Sequence, residues 1–323
     1  MMAKQNILIT GISGQDGIFL ANRILSEDSN NCNIYGISRQ NPSITINKIK
    51  SLGSYDKNLK IINTDLTEPS NVLNLISDIK PTQVFNLSGP SSVYDSIKNA
   101  SYFETTINKI FDNLTNACIQ LEVFPAFFQA SSSEMFSNKN SMPLNEQSIF
   151  DPRTPYAKGK YETFDKVNKL KNDFDWNIKS GIMFNHESEF RDSEYLFIKI
   201  LKAAKLIKSN KQDYLEIGST EVCRDWSFAG DIANAIYLMN QSEDNSNYVI
   251  GSGEATSIKE LIDMTSSICG VNLKKHIVIN PSLLRPGDPK IIVSDPNLIR
   301  ESLNWAPKCS LYDLLQRIYT KLN

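Results

Sequence analysis

A short apolar strand that runs directly into a glycine-rich turn and then a helix is the feature that most constrains this fold. NILIT (6–10) is followed by GISGQDG, which places Gly11, Gly14 and Gly17 at three-residue spacing before the helical run IFLANRIL. Such glycines permit a tight turn and close backbone approach to a pyrophosphate, and the helix N-terminus offers free N–H groups to an anion. A plain turn before a helix is the alternative, but the position after the first strand favours a dinucleotide site.

Short apolar runs alternate with helix-period segments along the first part of the chain. They are NILIT (6–10), NIYGIS (33–38), LKIINTD (59–65), QVFNLSG (83–89), AFFQAS (126–131) and NIKSGIMFN (177–185). Strands separated by amphipathic helices favour a parallel sheet with right-handed crossovers. We therefore predict an α/β fold, a Rossmann-type doubly wound parallel sheet with a smaller, interleaved C-terminal α/β lobe.

The regular alternation loosens after about residue 186. Helices are predicted near 195–208, 228–241, 257–269 and 310–322, with short strands at YLEIG, NYVIG and HIVIN. We predict a dinucleotide-binding domain formed by 1–185 together with about 220–250, and a substrate-binding lobe formed by about 186–219 and 251–323. Because no low-complexity linker is visible, the two are expected to pack together.

Charge and cysteine content argue against several classes of protein. The formal net charge is −2 over 323 residues, without a long basic run, so neither nucleic acid nor a membrane surface is expected as a partner. Five cysteines without a CxxC pair and two histidines predict neither a disulfide framework nor a metal site. The start MMAKQNILITG has no apolar leader, and no stretch approaches a membrane span, which favours a cytoplasmic protein.

The ends of the second and third predicted strands bear on cofactor choice. An NAD-preferring site carries an acid after the second strand to bind the ribose hydroxyls, whereas this chain has Arg39 there. A cation suits the 2′-phosphate, so NADP is predicted, with NAD possible. Asp65, at the end of the third strand, is placed to contact the adenine, although an acid that caps the next helix would look the same.

Three serines and an acid stand where the fifth predicted strand ends, in FFQASSSEMF (127–136). Ligands of a doubly wound sheet bind at the carboxyl ends of its strands. Ser132 is therefore expected to hydrogen-bond the reacting hydroxyl of a substrate, and Glu134 to supply acid/base chemistry. The alternative is a strand end at which serines satisfy loose backbone groups and the acid is solvated.

The segment DPRTPYAKGKYETF (151–164) carries Tyr156 and Lys160 four residues apart in a predicted helix. This spacing places both side chains on one face, about a turn apart. A tyrosine with a reference pKa of about 10 needs help to act as a general base, and a neighbouring ammonium stabilises the phenolate. The same spacing also arises often by chance.

These segments together resemble a known family. ILITGISGQDG, NLSGPSSVYDS, QASSSEMF, TPYAKGK, GIMFNHESEFR, RDWSFAGDIANA and LRPGD occur in this order over nearly the whole chain. The chain resembles the extended short-chain dehydrogenases/reductases, and most closely the GDP-mannose 4,6-dehydratase group. The resemblance implies an enzyme that converts a GDP-hexose to the GDP-4-keto-6-deoxy sugar by internal hydride transfer through tightly bound NADP.

The resemblance also implies roles for individual residues. Catalytic roles fall on Ser132, Glu134, Tyr156 and Lys160. The candidate cofactor-binding residues are Gly11, Gly14, Gln15, Asp16, Gly17, Arg39, Asp65, Leu66, Leu87, Ser88, Tyr156, Lys160 and His186. The candidate substrate-binding residues are Ser91, Ser133, Asn185, Glu187, Lys199, Arg224, Arg285 and Asp288. An ion pair between Arg224 and Asp225 is the structural alternative to diphosphate binding by Arg224.

Two departures from the family pattern leave the hexose open. Where the family often reads AAQSHV, this chain has SGPSSV, so Ser92 replaces a histidine, and residues before LRPGD are missing. GDP-mannose is the expected substrate. GDP-N-acetylglucosamine is the alternative, because bacterial routes to legionaminic acid use a related dehydratase.

Other functions stay open at this point. A nucleotide-sugar 4-epimerase or a 4-keto reductase of the same fold is an alternative enzyme, and a non-catalytic nucleotide-binding protein is an alternative of another class. The resemblance further suggests a homodimer or homotetramer. The excess of Lys, Asn and Ile is typical of an AT-rich genome, which suggests a bacterial source.

Overall fold

The computed structural model describes residues 4–28, 30–54, 58–284 and 287–322. Its strands are β1 (Gln5–Thr10), β2 (Cys32–Ile37), β3 (Leu59–Ile62), β4 (Gln83–Asn86), β5 (Ala126–Ser132), β6 (Ile178–Met183), β7 (Asn185–Glu187), β8 (Leu215–Ile217), β9 (Cys223–Arg224), β10 (Trp226–Phe228), β11 (Tyr248–Ile250), β12 (Thr256–Ser257), β13 (Ile277–Ile279) and β14 (Ile291–Ile292). The predicted strands are therefore present, with ends that shift by a few residues.

The α-helices lie between these strands, as the apolar periodicity predicts. They are α1 (Gln15–Asp28), α2 (Pro42–Lys50), α3 (Pro69–Ile79), α4 (Val93–Lys98), α5 (Ala100–Gln120), α6 (Pro155–Phe174), α7 (Leu196–Lys208), α8 (Ala229–Gln241), α9 (Ile258–Cys269), α10 (Asn297–Leu303) and α11 (Leu311–Lys321). Short 3-10 helices occupy Ser133–Met135, Leu273–His276 and Pro281–Leu283.

The main sheet has seven parallel strands in the order β11-β6-β5-β4-β1-β2-β3. The strand order reverses at β1, which lies between β4 and β2, and a doubly wound sheet binds ligands outside the carboxyl ends at such a point. Every residue of β6 is buried, as expected for a strand covered by helices on both faces. The predicted α/β, Rossmann-type fold is confirmed.

Two apolar cores cover the two faces of this sheet. On one face, α1 and α8 pack through residues such as Ile18, Ile24, Ile232 and Ile236. On the other face, α3, α5 and α6 contribute Val72, Ile76, Phe111, Leu114 and Val167. A third core joins α7, α9 and α11 around Ile217 and Trp226, outside the main sheet.

The strand predicted in NYVIG shows that the C-terminal half of the chain is interleaved with the N-terminal half. It forms β11, the edge strand that pairs in parallel with β6. The chain therefore returns to the main sheet after it has built α7, and the helix α8 packs on α1 through the shared core. The exact boundaries of the two domains stay a prediction.

Asp225, between β9 and β10, connects the end of β11 to the small sheet of β12, β9 and β14. Its buried carboxylate accepts hydrogen bonds from the N–H of Ser252 at 2.8 Å, of Gly253 at 3.0 Å and of Ser294 at 3.1 Å. The hydroxyls of Ser252 and Ser294 also donate to it. A buried charge is tolerated when donors surround it in this way.

Two further properties concern the described residues as a group. Among them, no helix is both long and apolar enough to cross a membrane. The same residues contain no group of three or more His, Cys, Asp or Glu side chains that could hold a metal ion.

We expect Asp225→Ala to lower the free energy of unfolding by about 3 kcal/mol or more, because several buried donors lose their acceptor at once. Asp225→Asn, which keeps one acceptor oxygen, should lose less. Urea unfolding followed by circular dichroism measures both. Wild-type stability in the alanine variant would contradict this role for Asp225.

Candidate active site

The glycine-rich turn between β1 and α1 leaves open space at only one of its three glycines. A Cβ on Gly11 would lie 2.7 Å from the carbonyl oxygen of Leu87, and a Cβ on Gly17 would lie 2.5 Å from Cα of Ile12. A Cβ on Gly14 would meet nothing closer than the Gly11 oxygen at 3.4 Å, and Gly14 is exposed. Gly11 and Gly17 therefore serve packing, while Gly14 leaves room for a ligand at the start of α1.

The first turn of α1 is tied to the segment that follows β6. Gln15 donates from Nε2 to the carbonyl oxygen of His186 at 2.8 Å and accepts from the Ser188 hydroxyl at 2.8 Å. Asp16 lies 3.0 Å from His186 through Oδ1 and Nε2. The two most distinctive sequence segments, GQDG and NHES, therefore contact each other directly.

The pKa values of Asp16 and His186 shift in opposite directions. Burial alone would raise the pKa of Asp16, but the charge of His186 and its hydrogen bond lower it overall. Burial alone would lower the pKa of His186, but Asp16 raises it above its usual value of 6.5. An acid in the first turn of α1 would repel a phosphate, and the adjacent imidazole of His186 offsets that charge when it is protonated.

The four candidate catalytic residues converge at the carboxyl end of β5. Ser132 ends this strand, and Glu134 lies in the 3-10 turn that follows, where its N–H donates to Ser132 Oγ at 3.3 Å. Pro155 and the N-cap Thr154 start α6, which places Tyr156 and Lys160 in its first turns. The Ser132 hydroxyl hydrogen-bonds the Tyr156 phenol.

Burial dominates the pKa values of Tyr156 and Lys160. It raises the pKa of Tyr156 to about 12; the bond from Ser132 opposes this shift, and the nearby Glu134 adds to it. Burial lowers the pKa of Lys160 to about 8, with Asp16 acting against it. Lys160 donates to the carbonyl oxygen of Ala130 at 2.8 Å, and its Nζ lies 5.8 Å from the centre of the Tyr156 ring. The ammonium is thus fixed by the β5 backbone beside the tyrosine.

Four candidate residues share one small recess beside this group. Its lining includes Ser133 and Glu134 after β5, Asn185 after β6, and Arg224 at the end of β9. These residues come from three separate parts of the chain, and the sheet topology brings them together. An acid, Glu134, and a basic residue, Arg224, are therefore brought to the same recess.

Arg224 has a different partner from the one that the sequence alternative offered. Its guanidinium donates to Asp288 Oδ1 at 2.8 Å, and to the carbonyl oxygens of Cys223 at 2.8 Å and Pro289 at 3.0 Å. The alternative prediction of an Arg224–Asp225 ion pair is therefore wrong, because the carboxylate of Asp225 accepts hydrogen bonds from the backbone N–H groups of 252–253 and 294. The candidate Arg285 lies outside the described residues.

The candidate adenine and ribose contacts lie after β2 and β3. Asp65 accepts from the N–H of Thr67 at 2.9 Å and from its hydroxyl at 2.8 Å. These two bonds lower the pKa of Asp65, and Arg39 adds to the shift from nearby. Asp65 thus stabilises the turn before α3 but does not cap this helix, because the N-cap residue of α3 is Glu68. Arg39 is exposed.

The other candidates for cofactor contact surround the same edge of the sheet. The N–H groups of Leu87 and Ser88 both donate to Thr10 Oγ1 at 3.2 Å, which holds the end of β4 against β1. Leu66 is buried in the core of α3 and α5. These residues are placed by packing and backbone bonds, and their contact with a cofactor stays a prediction.

Two residues of this region, Arg191 and Tyr195, were missed by the sequence analysis. Arg191 Nε lies 3.4 Å from the buried carboxylate of Glu187, and its guanidinium lies 3.5 Å from the centre of the Tyr195 ring. Burial raises the pKa of Glu187, with Arg191 acting against the shift. Lys199 lies one turn after Tyr195 on α7, 3.5 Å from Glu194. The four-residue spacing of Glu187, Arg191 and Tyr195 was the available signal.

Comparison with known proteins places the chain in a family. The family model described as GDP-mannose 4,6 dehydratase matches residues 8–318. The chain belongs to the GDP-mannose 4,6-dehydratase family. A relative from Drosophila melanogaster named GDP-mannose 4,6 dehydratase is 30% identical over 95% of this chain and 83% of its own length. The chain is accordingly a dehydratase enzyme.

Solved structures agree with the fold at lower sequence identity. UDP-glucose 4-epimerase from Thermus thermophilus, in complex with NAD, has a TM-score of 0.82 at 18% identity and covers 98% of both chains. The Pseudomonas aeruginosa protein RMD, in complex with NADPH, has a TM-score of 0.80 at 20% identity over 98% of this chain and 99% of its own. At such identities the likeness concerns the fold.

We expect Gly14→Ala to fold with wild-type stability and to bind NADP or NAD at least tenfold more weakly, because the added methyl group occupies the open space at the start of α1. Isothermal titration measures the binding. Gly17→Ala is the matched control, since its methyl group clashes inside the protein and should lower the melting temperature. Unchanged dinucleotide affinity in Gly14→Ala would contradict this site.

Proposed function

We propose that this enzyme converts a GDP-hexose, with GDP-mannose as the first candidate, to the GDP-4-keto-6-deoxy sugar with loss of water. The observation that carries the proposal is the position of Glu134. This acid lies close enough to Tyr156 to raise the pKa of its phenol further and lines the same recess as Asn185 and Arg224. An enzyme that only epimerises or reduces C4 needs no acid at this place.

Ser132 and Tyr156 are proposed to handle the proton of the C4 hydroxyl. Tyr156, with a pKa of about 12, is protonated at neutral pH before a substrate binds. The hydrogen bond to Ser132 opposes the effect of burial, which makes proton exchange with a bound hydroxyl easier. Lys160, held by Ala130, adds a positive charge that favours the phenolate.

Glu134 is proposed to carry the elimination of water. Once C4 is a ketone, the C5 proton becomes acidic, and a carboxylate that reaches it acts as the base. The same carboxyl group, now protonated, then assists the departure of the C6 hydroxyl as water. A positioned acid/base group contributes about 100- to 10,000-fold to such a step.

The GDP group is proposed to bind where Arg224 and Asn185 line the recess, with Lys199 and Arg285 as further contacts. A guanidinium is well matched to phosphate, and a bound diphosphate would compete with Asp288 for Arg224. Ser92, which stands in place of the family histidine, caps α4 by accepting from the N–H of Asp95 at 3.1 Å. This change leaves GDP-N-acetylglucosamine as the second candidate substrate, and with it the route to legionaminic acid.

The cofactor is proposed to be NADP, with NAD as the alternative. When bound, the nicotinamide supplies the acceptor and donor of hydride. Gly14 leaves space for the pyrophosphate, the paired Asp16 and His186 limit repulsion at the start of α1, and the exposed Arg39 suits a 2′-phosphate. Tyr156, Lys160 and His186 are proposed to orient the nicotinamide end.

Assembly and location are proposed from surface and cysteine chemistry. A homodimer or homotetramer is supported by large apolar side chains exposed on α4 and at the start of α5, namely Tyr94, Ile97 and Tyr102. A cytoplasmic location is supported by Cys118, Cys223, Cys269 and Cys309, which are present as thiols, as expected in a reducing compartment.

We expect Glu134→Gln to lower the rate of product formation by about 100- to 10,000-fold, while GDP binding stays within about threefold of wild type. Mass spectrometry of the sugar nucleotide product, run with GDP-mannose and with GDP-N-acetylglucosamine, measures the loss of water and identifies the better substrate. Glu301→Gln, an exposed acid on α10, is the control. Near-normal turnover by Glu134→Gln would contradict the proposal.

We also expect Arg39→Ala to weaken NADP binding by about tenfold or more and to leave NAD binding nearly unchanged, because only NADP carries the phosphate that the guanidinium would bind. Fluorescence titration of cofactor-free protein measures both affinities. A wild-type enzyme that binds NAD as tightly as NADP would remove the basis for the assignment.

A further inference from the structure

A turn formed by residues 188–191 joins the end of β7 to the start of α1. The Arg191 N–H closes the turn by donating to the carbonyl oxygen of Ser188 at 3.1 Å. The buried hydroxyl of Ser188 donates to Gln15 Oε1 at 2.8 Å, and Gln15 donates to the carbonyl oxygen of His186 at 2.8 Å. Because Gln15 is the first residue of α1, the position of the turn and the position of this helix end are coupled.

The C-terminal helix α11 holds the same turn from another side. The side chain of Glu189 is only 6% exposed, and its carboxylate accepts from Arg317 Nε at 3.1 Å and from Arg317 Nη2 at 2.8 Å. Lys321, one turn later on α11, donates to the same carboxylate at 2.6 Å. Burial alone would raise the pKa of Glu189, but the hydrogen bonds from Arg317 and Lys321 lower it overall. A guanidinium that donates twice to one carboxylate fixes both distance and orientation.

Arg317 also contacts the elements on either side of the turn. Its guanidinium carbon lies 4.6 Å from the centre of the Phe228 ring and 5.7 Å from the centre of the Phe19 ring, within the range of cation–π contact. Phe228 ends β10 and pairs in register with Glu187 of β7, while Phe19 belongs to α1. The two rings meet edge to face at 4.9 Å. One side chain of α11 therefore contacts α1, β10 and the turn together.

We infer that Arg317 is a positioning residue, through which α11 fixes the turn 188–191 and, with it, the first turn of α1 at the dinucleotide site. This inference rests on the proposed binding of a dinucleotide at the start of α1. The path runs from Arg317 through Glu189 and the turn to α1, by hydrogen bonds of 3.1 Å or less. Asp16 pairs with His186 at 3.0 Å in that first turn, so this pair reports whether the helix start keeps its place.

The test uses Arg317→Met in the full chain, which keeps an apolar side chain over the two rings and removes the bond to Glu189. We expect the dissociation constant for NADP, or for NAD if the wild type binds it more tightly, to rise about 3- to 10-fold because the start of α1 is no longer held. Isothermal titration of cofactor-free protein measures it. Lys321→Met is the matched control, which removes an equal charge from the same helix and the same carboxylate. The double contact from Arg317 remains, so affinity should stay within about twofold of wild type.

The pKa of His186 separates a shift in position from a loss of stability. The chain has two histidines, so His276→Gln assigns their ring signals in nuclear magnetic resonance spectra. Burial alone would lower the pKa of His186, but Asp16 raises it above 6.5. We expect Arg317→Met to bring this pKa down toward 6.5, because the pair with Asp16 loosens. Loss of a positive charge would by itself raise the pKa of a histidine, so a decrease identifies a change in position.

Glu189→Gln tests the path and serves as the second variant if Arg317→Met does not fold. It should weaken dinucleotide binding about as much as Arg317→Met, and the two changes together should add little. Fully additive effects, or an equal loss in Lys321→Met, would show that Arg317 does not act through this contact. If folded Arg317→Met keeps both the wild-type affinity and the wild-type pKa of His186, the inference is wrong and the proposed cofactor site stands. A wild type that binds neither NADP nor NAD would overturn both.

Discussion

The contact between the first turn of α1 and the segment after β6 is the interaction on which the whole site depends. The Asp16–His186 ion pair and the two hydrogen bonds of Gln15 join the start of α1 to the strand that carries Asn185 and Glu187. Because α1 begins at the glycine turn, the same contact sets the distance between the proposed pyrophosphate position at Gly14 and the candidate catalytic residues. A fold with identical strands but without this contact would leave the two ends of a dinucleotide site unconnected.

Most of the charged groups around this contact face one of opposite sign. Asp16 pairs with His186, and Glu187 pairs with Arg191, while Lys160 rests on a carbonyl oxygen within the influence of Asp16. Buried ions that lack such partners cost several kcal/mol each. The two ion pairs and the hydrogen bond of Lys160 therefore accommodate five ionisable side chains in this region.

The fold and the convergence of the candidate catalytic residues were predictable from local sequence, and much of the contact network was not. Strand and helix periodicity places β1 to β6, and the spacing of Tyr156 and Lys160 on α6 needs only helical geometry. The partner of Arg224 could not be predicted, because Asp288 is distant in sequence and competes with the adjacent Asp225. The same limit applies to Gln15 and Ser188, which meet across 173 positions, and to the ion pair between Glu189 and Arg317. The sequence allowed Asp65 either to contact the adenine or to cap the next helix. The structure shows instead that Asp65 accepts two hydrogen bonds from Thr67 in the turn before α3.

The measurement that tests the central claim most directly follows one hydrogen atom of the substrate. If Tyr156 and Glu134 act at C4 and C5 as proposed, deuterium placed at C4 of GDP-mannose should be found at C6 of a product that is lighter by one water. Nuclear magnetic resonance of the product locates the label in the new methyl group, and NADPH should neither accumulate nor be consumed. Label that returns to C4 with the mass of the sugar unchanged, or that is lost to solvent without a methyl group at C6, would contradict the account.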